Sequence, residues 1–229
     1  MHWLILNLKW KTRRKRSDPN QIQKEKPLSD QGFFFYPNSI YLCATSMSIE
    51  SRIILDSKQL NLSIERICYQ LIENHNDFSE SVLVGLQPRG VFVAKRIHDR
   101  LLELTGKQVD LGSLDITFNR DDHRRRDLPL IPSETNMDFL VEGKKVIMID
   151  DVLFTGRTIR AGMDALLAFG RPSVVELAVL VDRRFSRQLP IEPNYVGARI
   201  DTIVSERVEV DLKENGGTDT VKLYSPEQE

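Results

Sequence analysis

An apolar run followed by a short loop and then by an amphipathic helix occurs twice in this chain, at residues 82–104 and 145–169. The second unit ends at Gly170 and Pro172, residue types that commonly terminate a helix, and a third apolar run then covers residues 174–181. These runs lack the polar alternation of a half-exposed strand, so they indicate strands covered on both faces. The alternation predicts an α/β fold with a mostly parallel sheet flanked by helices.

The most specific chemistry lies where the strand of the second unit ends, at Asp150 and Asp151. A short turn then leads into the next helix. The free N–H groups of the helix start, the hydroxyls of Thr155 and Thr158 and the small Gly156 favour an anion such as phosphate. Carboxylates opposite suit vicinal hydroxyls, directly or through a divalent cation. The pattern predicts a site for ribose 5-phosphate, although two acids after a strand are also typical of a solvated loop or helix cap.

This segment resembles the phosphoribosyl pyrophosphate (PRPP) motif of type I phosphoribosyltransferases, and the surrounding chain resembles the PyrR family. Members of that family are pyrimidine operon attenuators that are also uracil phosphoribosyltransferases. The matching blocks are 53–56, 83–85, 89–90, 115–117, 120–122, 146–158, 160–166, 170–172, 177–183, 189–191 and 195–197. The resemblance implies the type I phosphoribosyltransferase fold, with a flexible hood loop over the sheet edge.

The resemblance also implies a reaction, in which uracil and PRPP give UMP and pyrophosphate with Mg²⁺. Asp150 and Asp151 would hold the ribose hydroxyls and contribute to a Mg²⁺ ion bound mainly by PRPP. Arg89 would contact pyrophosphate, because a guanidinium can bind two oxygens at once; a surface salt bridge is the alternative. These three are the candidate catalytic residues. The residues implied to bind PRPP and its phosphates are Pro88, Arg89, Asp150, Asp151, Val152, Leu153, Phe154, Thr155, Gly156, Arg157 and Thr158.

Phe154 bears on the identity of the base. In the related 6-oxopurine transferases an aspartate precedes the Thr-Gly pair, and an aromatic ring cannot accept a proton in its place. This difference disfavours hypoxanthine and guanine and is compatible with a pyrimidine. The resemblance implies that uracil lies near Asp182, Arg183 and Ile200, beside the strand at residues 177–181. A transferase for another base, such as orotate, is the alternative.

A polar stretch between residues 115 and 138 contains the hood-loop candidates Arg120, Asp121 and Asp122. In type I enzymes a flexible loop closes over the reactants from about this position, which excludes water from the reactive sugar. A charged surface loop is the alternative. The four histidines and two cysteines do not show the spacing of zinc ligands, so zinc is not expected.

The family's second activity is UMP-sensitive binding of leader RNA by a basic surface of a dimer or larger oligomer. RNA affinity depends on cation density, yet residues 47–229 hold 24 Lys and Arg against 30 Asp and Glu. Glu65 and Tyr69 stand where familiar regulators carry Thr and His, and residues 184–188 replace the usual Gly-His-Arg-Glu. RNA regulation therefore stays open, and an attenuator with little catalytic role is a further alternative. The candidate RNA-binding residues are Arg66, Arg184, Arg187 and Arg199.

Residues 1–46 differ from the remainder of the chain, with 8 Lys and Arg against 3 Asp and Glu and no sustained helical or strand period. We predict a poorly ordered basic extension before a phosphoribosyltransferase domain at residues 47–229. Three interpretations remain for this extension: a segment that binds nucleic acid or anionic lipid, a solvated tail, or a reading frame whose true start is Met47.

No stretch of the chain approaches the roughly 18 apolar residues of a membrane span, and the apolar start lacks the features of a secretory signal. Two cysteines, Cys43 and Cys68, are too few for a disulfide framework. We therefore expect a cytoplasmic protein with no membrane partner, in which both thiols are reduced.

Overall fold

Residues 50–121 and 132–225 are described by the computed structural model of the chain. The predicted extension at residues 1–46 and the hood candidate Asp122 lie outside these described residues. The strands are β1 Glu50–Leu55, β2 Ser81–Leu86, β3 Asp110–Leu114, β4 Lys145–Leu153, β5 Val174–Arg184, β6 Tyr195–Asp201, β7 Arg207–Asp211 and β8 Thr220–Ser225. The helices are α1 Ser57–His75, α2 Gly90–Thr105 and α3 Arg157–Leu166, with short 3-10 turns at Leu167–Phe169 and Lys213–Asn215.

Five strands form a parallel sheet in the order β3-β2-β4-β5-β6, which confirms the predicted α/β fold. A second sheet, β1-β8-β7, is antiparallel and was not predicted. Parallel strands end at the same edge of a sheet, so the loops after β2, β4 and β5 meet at one place. That edge is where ligands bind in open α/β sheets.

The helices begin and end at residues whose chemistry explains the boundaries. Asp56 caps α1: its carboxylate accepts from the N–H of Gln59 at 2.8 Å, and the Gln59 side chain accepts from the Asp56 N–H at 3.1 Å. At the end of α2, Gly106 adopts a left-handed conformation with φ 67° and donates its N–H to the carbonyl of Leu102. Both ends are therefore specified locally.

Side chains alternate between the two faces of the parallel sheet and build two separate cores. In β4, Ile147 and Ile149 belong to the cluster completed by α1 and α2, whereas Val146 and Met148 belong to the cluster completed by α3. All four side chains are fully buried, as predicted for a strand covered on both faces. None of the helices in the described ranges has the length and apolar character that a bilayer crossing requires.

Strand β4 is longer than its partner β2, and this difference positions the acidic pair. The last register pair between the two strands joins Gly85 to Ile149. Strand β4 then continues to Leu153 with β5 as its neighbour. Asp150 and Asp151, which we predicted at the end of this strand, are part of it, and two further residues follow them. They lie in the stretch that extends beyond β2, where one side of β4 is open to other groups.

Candidate active site

Asp150 and Asp151 are both buried, with only 5% of each residue exposed. The N–H of Asp151 donates to Asp150 Oδ1 at 2.9 Å, and the N–H of Val152 donates to Asp151 Oδ1 at 2.8 Å. Each carboxylate therefore uses one oxygen to fix the local backbone. Of the two residues, Asp150 lines the neighbouring cavity, whereas the second oxygen of Asp151 is buried beside Arg89.

Burial dominates the electrostatics of this pair. It raises the pKa of the Asp150 carboxyl well above its ordinary value, and the neighbouring charge of Asp151 raises it further, while Arg89 lowers it. Arg89 Nε lies 2.9 Å from Asp151 Oδ2, although that oxygen receives no aligned hydrogen bond from the described residues. The pair is thus only partly neutralised, as is typical of a site that binds a ligand.

Arg89 reaches the acids because Gly90 allows α2 to begin against the end of β4. A methyl group on Gly90 would lie 2.5 Å from the carbonyl oxygen of Ile149 and 3.2 Å from Asp150 Oδ1. Only glycine fits such a close approach. The structure therefore brings the loop that contains Pro88 and Arg89 next to the acidic pair, and Gly90 is a functional position that our sequence analysis had not singled out.

The predicted phosphate turn forms the start of α3. Gly156 is its N-terminal cap in a left-handed conformation with φ 89°, and no side chain caps the helix from that position. The first N–H groups of an α-helix have no partners within the helix, so this end favours an anion. A cavity of about 250 Å³ lies here. Its lining is formed by Arg120, Asp121, Asp150, Val152, Leu153, Phe154, Thr155, Gly156, Arg157, Thr158 and Ile159.

The described part of the hood region contacts this turn. The carboxylate of Asp121 accepts a hydrogen bond from Arg157 and lies 3.8 Å from Arg160 Nη1. Arg120 lines the same cavity. The two hood candidates within the described residues therefore lie next to the predicted phosphate site.

The segment after β5 packs behind the phosphate turn. Arg187 Nη1 donates to the carbonyl of Phe154 at 2.5 Å, and the N–H groups of Gln188 and Leu189 both donate to the carbonyl of Thr155, at 3.0 and 3.2 Å. Arg157 Nε donates to the Gln188 side chain at 2.8 Å. Our sequence analysis assigned Arg187 to an RNA surface and gave Gln188 no role. No local pattern reveals contacts between segments about 30 residues apart.

The three candidate uracil residues are placed differently from one another. Asp182 is buried at the end of β5 and pairs with Arg187 Nη2 at 2.5 Å. The Arg183 guanidinium lies 3.9 Å from the centre of the Phe154 ring and donates to Thr202 Oγ1 at 3.0 Å. Asp182 and Arg183 therefore adjoin the phosphate turn. Ile200 is buried in the hydrophobic cluster completed by α1 and α2, so the structure does not bring it to the cavity.

The candidate RNA-binding arginines do not form one group. Arg66 and Arg199 line a second cavity of about 370 Å³ beside β6, where Arg66 donates to the carbonyl of Gly197. Arg184 pairs with Asp201 at 3.5 Å. Arg187 is turned toward the phosphate turn and is 23% exposed.

The acidic pair supplies two carboxylates, which is fewer than a metal site made of protein ligands alone requires. Within the described residues, no group of three or more His, Cys, Asp or Glu side chains is placed to hold an ion by itself. Mg²⁺ in phosphate-transfer sites is commonly held by one or two carboxylates together with substrate phosphates and water. Asp150 and Asp151 provide two carboxylates for that kind of shared coordination, and Asp151 Oδ2 lies 2.9 Å from Arg89 Nε.

The phosphoribosyl transferase domain family matches residues 51–215 of this chain. The chain is 44% identical over 177 residues to the bifunctional protein PyrR of Bacillus cereus (strain AH820), an alignment that covers 76% of this chain and 98% of the relative. The same protein of Bacillus thuringiensis subsp. konkukian (strain 97-27) matches equally well. The chain therefore belongs to the PyrR family.

Solved structures support the fold of this PyrR family member. A hypoxanthine phosphoribosyltransferase of Trypanosoma cruzi, in complex with the product IMP, has a TM-score of 0.60 at 15% identity and covers 78% of this chain and 91% of its own. A hypoxanthine phosphoribosyltransferase of Staphylococcus aureus has a TM-score of 0.56 at 17% identity, with 77% and 92% coverage. At these identities the likeness shows the type I phosphoribosyltransferase fold.

Proposed function

We propose that this protein is a uracil phosphoribosyltransferase, which converts uracil and PRPP to UMP and pyrophosphate. The observation that carries the proposal is one cavity that contains both Asp150 and the start of α3, next to Arg89 on the adjoining loop. Membership of the PyrR family supports the same activity. The start of α3 suits the phosphate of a ribose phosphate ester, and Asp150 suits its hydroxyl groups.

The orientation of PRPP follows from the charges around the cavity. The 5-phosphate would bind the N–H groups and hydroxyls of the turn that contains Thr155 and Thr158. The ribose hydroxyls would donate to Asp150 and Asp151, and the pyrophosphate would extend toward Arg89, which is 42% exposed and able to turn to it. The anomeric carbon would then face the end of β5.

The proposed reaction forms a bond between C1 of the ribose and N1 of uracil and breaks the bond between C1 and the pyrophosphate oxygen. The N1 proton is released, and the bonding electrons leave with pyrophosphate. Arg89 stabilises the negative charge that develops on the leaving group, and the turn and acids hold the sugar in position. When bound, Mg²⁺ would neutralise further charge on pyrophosphate, held in part by Asp150 and Asp151.

Phe154 supports a pyrimidine as the base. An aromatic ring at this position offers no carboxylate to a purine, and the Arg183 guanidinium lies over that ring. Asp182 and Arg183 remain the proposed uracil-side residues, whereas the burial of Ile200 in the core removes the support for a direct contact. Orotate is the alternative base.

The test is release of pyrophosphate from PRPP by the purified protein with Mg²⁺, in parallel reactions with uracil, orotate and hypoxanthine. We expect turnover with uracil and little with the other two bases. Turnover with orotate alone would replace the proposed substrate. Absence of pyrophosphate release with every base would contradict the transferase activity.

A second proposed function is UMP-sensing regulation of pyrimidine genes by transcription attenuation, through binding of leader RNA. It is supported by the family and by Arg66 and Arg199, which line one cavity. We expect a UMP-dependent shift of the organism's own pyrimidine leader transcript that weakens with salt. Arg66→Ala should reduce the shift, whereas Arg52→Ala, an exposed arginine on β1, should not. No shift at low salt would exclude this role.

The proposal also covers the compartment, the oligomeric state and the first residue of the protein. We place the protein in the cytoplasm, where PRPP and transcripts are found, as a homodimer or larger homo-oligomer. Sedimentation of the purified protein tests the assembly. The basic segment at residues 1–46 remains a separate predicted region, and mass spectrometry of the native N-terminus would decide between Met1 and Met47 as the start.

A further inference from the structure

The carbonyls of the phosphate turn are held from behind by one short segment, residues 187–189. Arg187 donates to the Phe154 carbonyl at 2.5 Å, and the backbone of Gln188 and Leu189 donates twice to the Thr155 carbonyl. The Leu189 side chain also packs behind Gly156, where an added methyl group would lie 3.4 Å from Leu189 Cβ. Two consecutive peptide units of the turn are therefore fixed from the side away from the cavity.

Fixing a carbonyl also fixes the N–H on the other side of the same peptide unit. In a trans peptide the C=O and the following N–H point in opposite directions, and the unit is rigid and planar. The bond from Arg187 to the Phe154 carbonyl therefore turns the N–H of Thr155 away from Arg187. In the same way, the bonds to the Thr155 carbonyl turn the N–H of Gly156 away from the 187–189 segment. Phosphate binding depends on N–H groups that are oriented before the ligand arrives.

Arg187 itself is held in place by the end of the neighbouring strand. Its Nη2 pairs at 2.5 Å with Asp182, whose side chain is only 9% exposed, and Leu153 and Asp182 form a register pair between β4 and β5. The planar guanidinium of Arg187 thus contacts Phe154, just after β4, and Asp182, near the end of β5. A lysine ammonium has no fixed fork and cannot reproduce two such contacts in a set geometry.

We propose that Arg187 is a positioning residue for the transferase reaction: it orients the peptide units of the phosphate turn so that their N–H groups face the 5-phosphate. This inference rests on the proposed function, because it assumes that the turn binds the phosphate of PRPP. Arg187 acts through the Phe154 carbonyl and touches neither substrate. The assignment differs from its predicted role as an RNA-binding side chain.

The experiment compares Arg187→Ala and Arg187→Lys with the wild type in steady-state kinetics and in calorimetric binding of ribose 5-phosphate. For Arg187→Ala we expect KM for PRPP to rise about 10-fold, with kcat changed less than about 3-fold, because phosphate contacts are made in both ground and transition states. Affinity for ribose 5-phosphate should fall by a similar factor. Arg187→Lys should recover little of the loss. Arg207→Ala, an exposed arginine on β7, is the matched control and should match the wild type.

Several outcomes would overturn the inference. A lower melting temperature with unchanged KM for PRPP and unchanged ribose 5-phosphate affinity would indicate a purely structural role. Full recovery by Arg187→Lys would show that charge alone matters. Loss of leader RNA binding with unchanged kinetics would restore the RNA role. If the wild type releases no pyrophosphate, the proposed function fails, but ribose 5-phosphate binding still tests the positioning role by itself.

Discussion

Two buried polar clusters lie at opposite edges of the parallel sheet, and they are built in different ways. The acid-pair cluster, Asp150, Asp151 and Arg89, lies at the edge where the strands end. The His75 cluster lies at the edge where the strands begin and comprises His75, Ser81, Glu176 and Tyr195. Both clusters place charged or polar groups beside the hydrophobic core, which is costly unless they are paired.

The His75 cluster satisfies its members internally. His75 Nδ1 lies 2.8 Å from Ser81 Oγ, its Nε2 lies 3.0 Å from Glu176 Oε2, and Tyr195 donates to Glu176 at 2.6 Å. Burial, followed by the bond to Glu176, raises the pKa of Tyr195 to about 12. The acid-pair cluster leaves Asp151 Oδ2 without a hydrogen bond from the described residues and has a perturbed Asp150. A closed network favours stability, whereas an incomplete one favours ligand binding.

The largest expected effect comes from removing the charge of the acid pair. Asp151→Asn should lower kcat/KM for PRPP by about 100-fold or more, equivalent to about 2.7 kcal/mol, because the variant loses the carboxylate charge that pairs with Arg89 and that we propose to hold a ribose hydroxyl. Steady-state kinetics of pyrophosphate release measure kcat/KM for both proteins. Glu176→Gln, which alters a carboxylate of the His75 cluster, is the matched control and should retain wild-type kinetics. Equal losses in the two variants would remove the distinction between the clusters.

The His75 cluster should respond in the opposite way, with a loss of stability and little change in catalysis. His75→Ala leaves Ser81, Glu176 and Tyr195 with missing partners in a largely buried place, and we expect the free energy of unfolding to fall by about 1–3 kcal/mol. Chemical denaturation at neutral pH measures the change. Glu73→Ala, at an exposed position of α1, is the control and should be nearly neutral. A fall in kcat/KM without a loss of stability would contradict this assignment.

Sequence patterns predicted the parallel sheet and its helices because their signals are local. The apolar face of α2, within the first predicted unit, includes Ile97 and Leu101, and both are fully buried as expected for an amphipathic helix. The second sheet gave no such signal, because β1 pairs with β8, about 170 residues later, and the strands are short. Long-range pairing of this kind has no periodic mark in one sequence.

The same limit explains which site residues could be predicted. Asp150 and the turn that contains Thr155 are close in sequence, and the strand-turn-helix pattern brings them to one cavity. The inward orientation of Arg187 depends on a contact with Phe154, 33 residues earlier, and could not be predicted. The burial of the Ile200 side chain in the core could not be predicted either, because the side of the sheet that a strand side chain faces is set by a register that only the folded sheet shows.

The smallest expected effect concerns the stability cost of the acid pair and its dependence on pH. Burial raises the pKa of Asp150 in the folded state above its ordinary value of 3.8, so between these two pKa values the folded chain binds more protons than the unfolded chain. The free energy of unfolding of the wild type therefore decreases as pH rises through this window.

The variant Asp150→Asn cannot titrate at this position, and its amide oxygen can still accept from the N–H of Asp151. We expect its stability advantage over the wild type to be smallest near pH 4 and to grow with pH to on the order of 1 kcal/mol, although turnover is lost. Denaturation of both proteins from pH 4 to pH 8 measures the difference, with Asp164→Asn, an exposed carboxylate on α3, as the control. If the stability difference between Asp150→Asn and the wild type stays constant or shrinks as pH rises, then ionised Asp150 destabilises the fold no more than a surface carboxylate does. The two clusters would then not differ in their effect on stability in the way we expect.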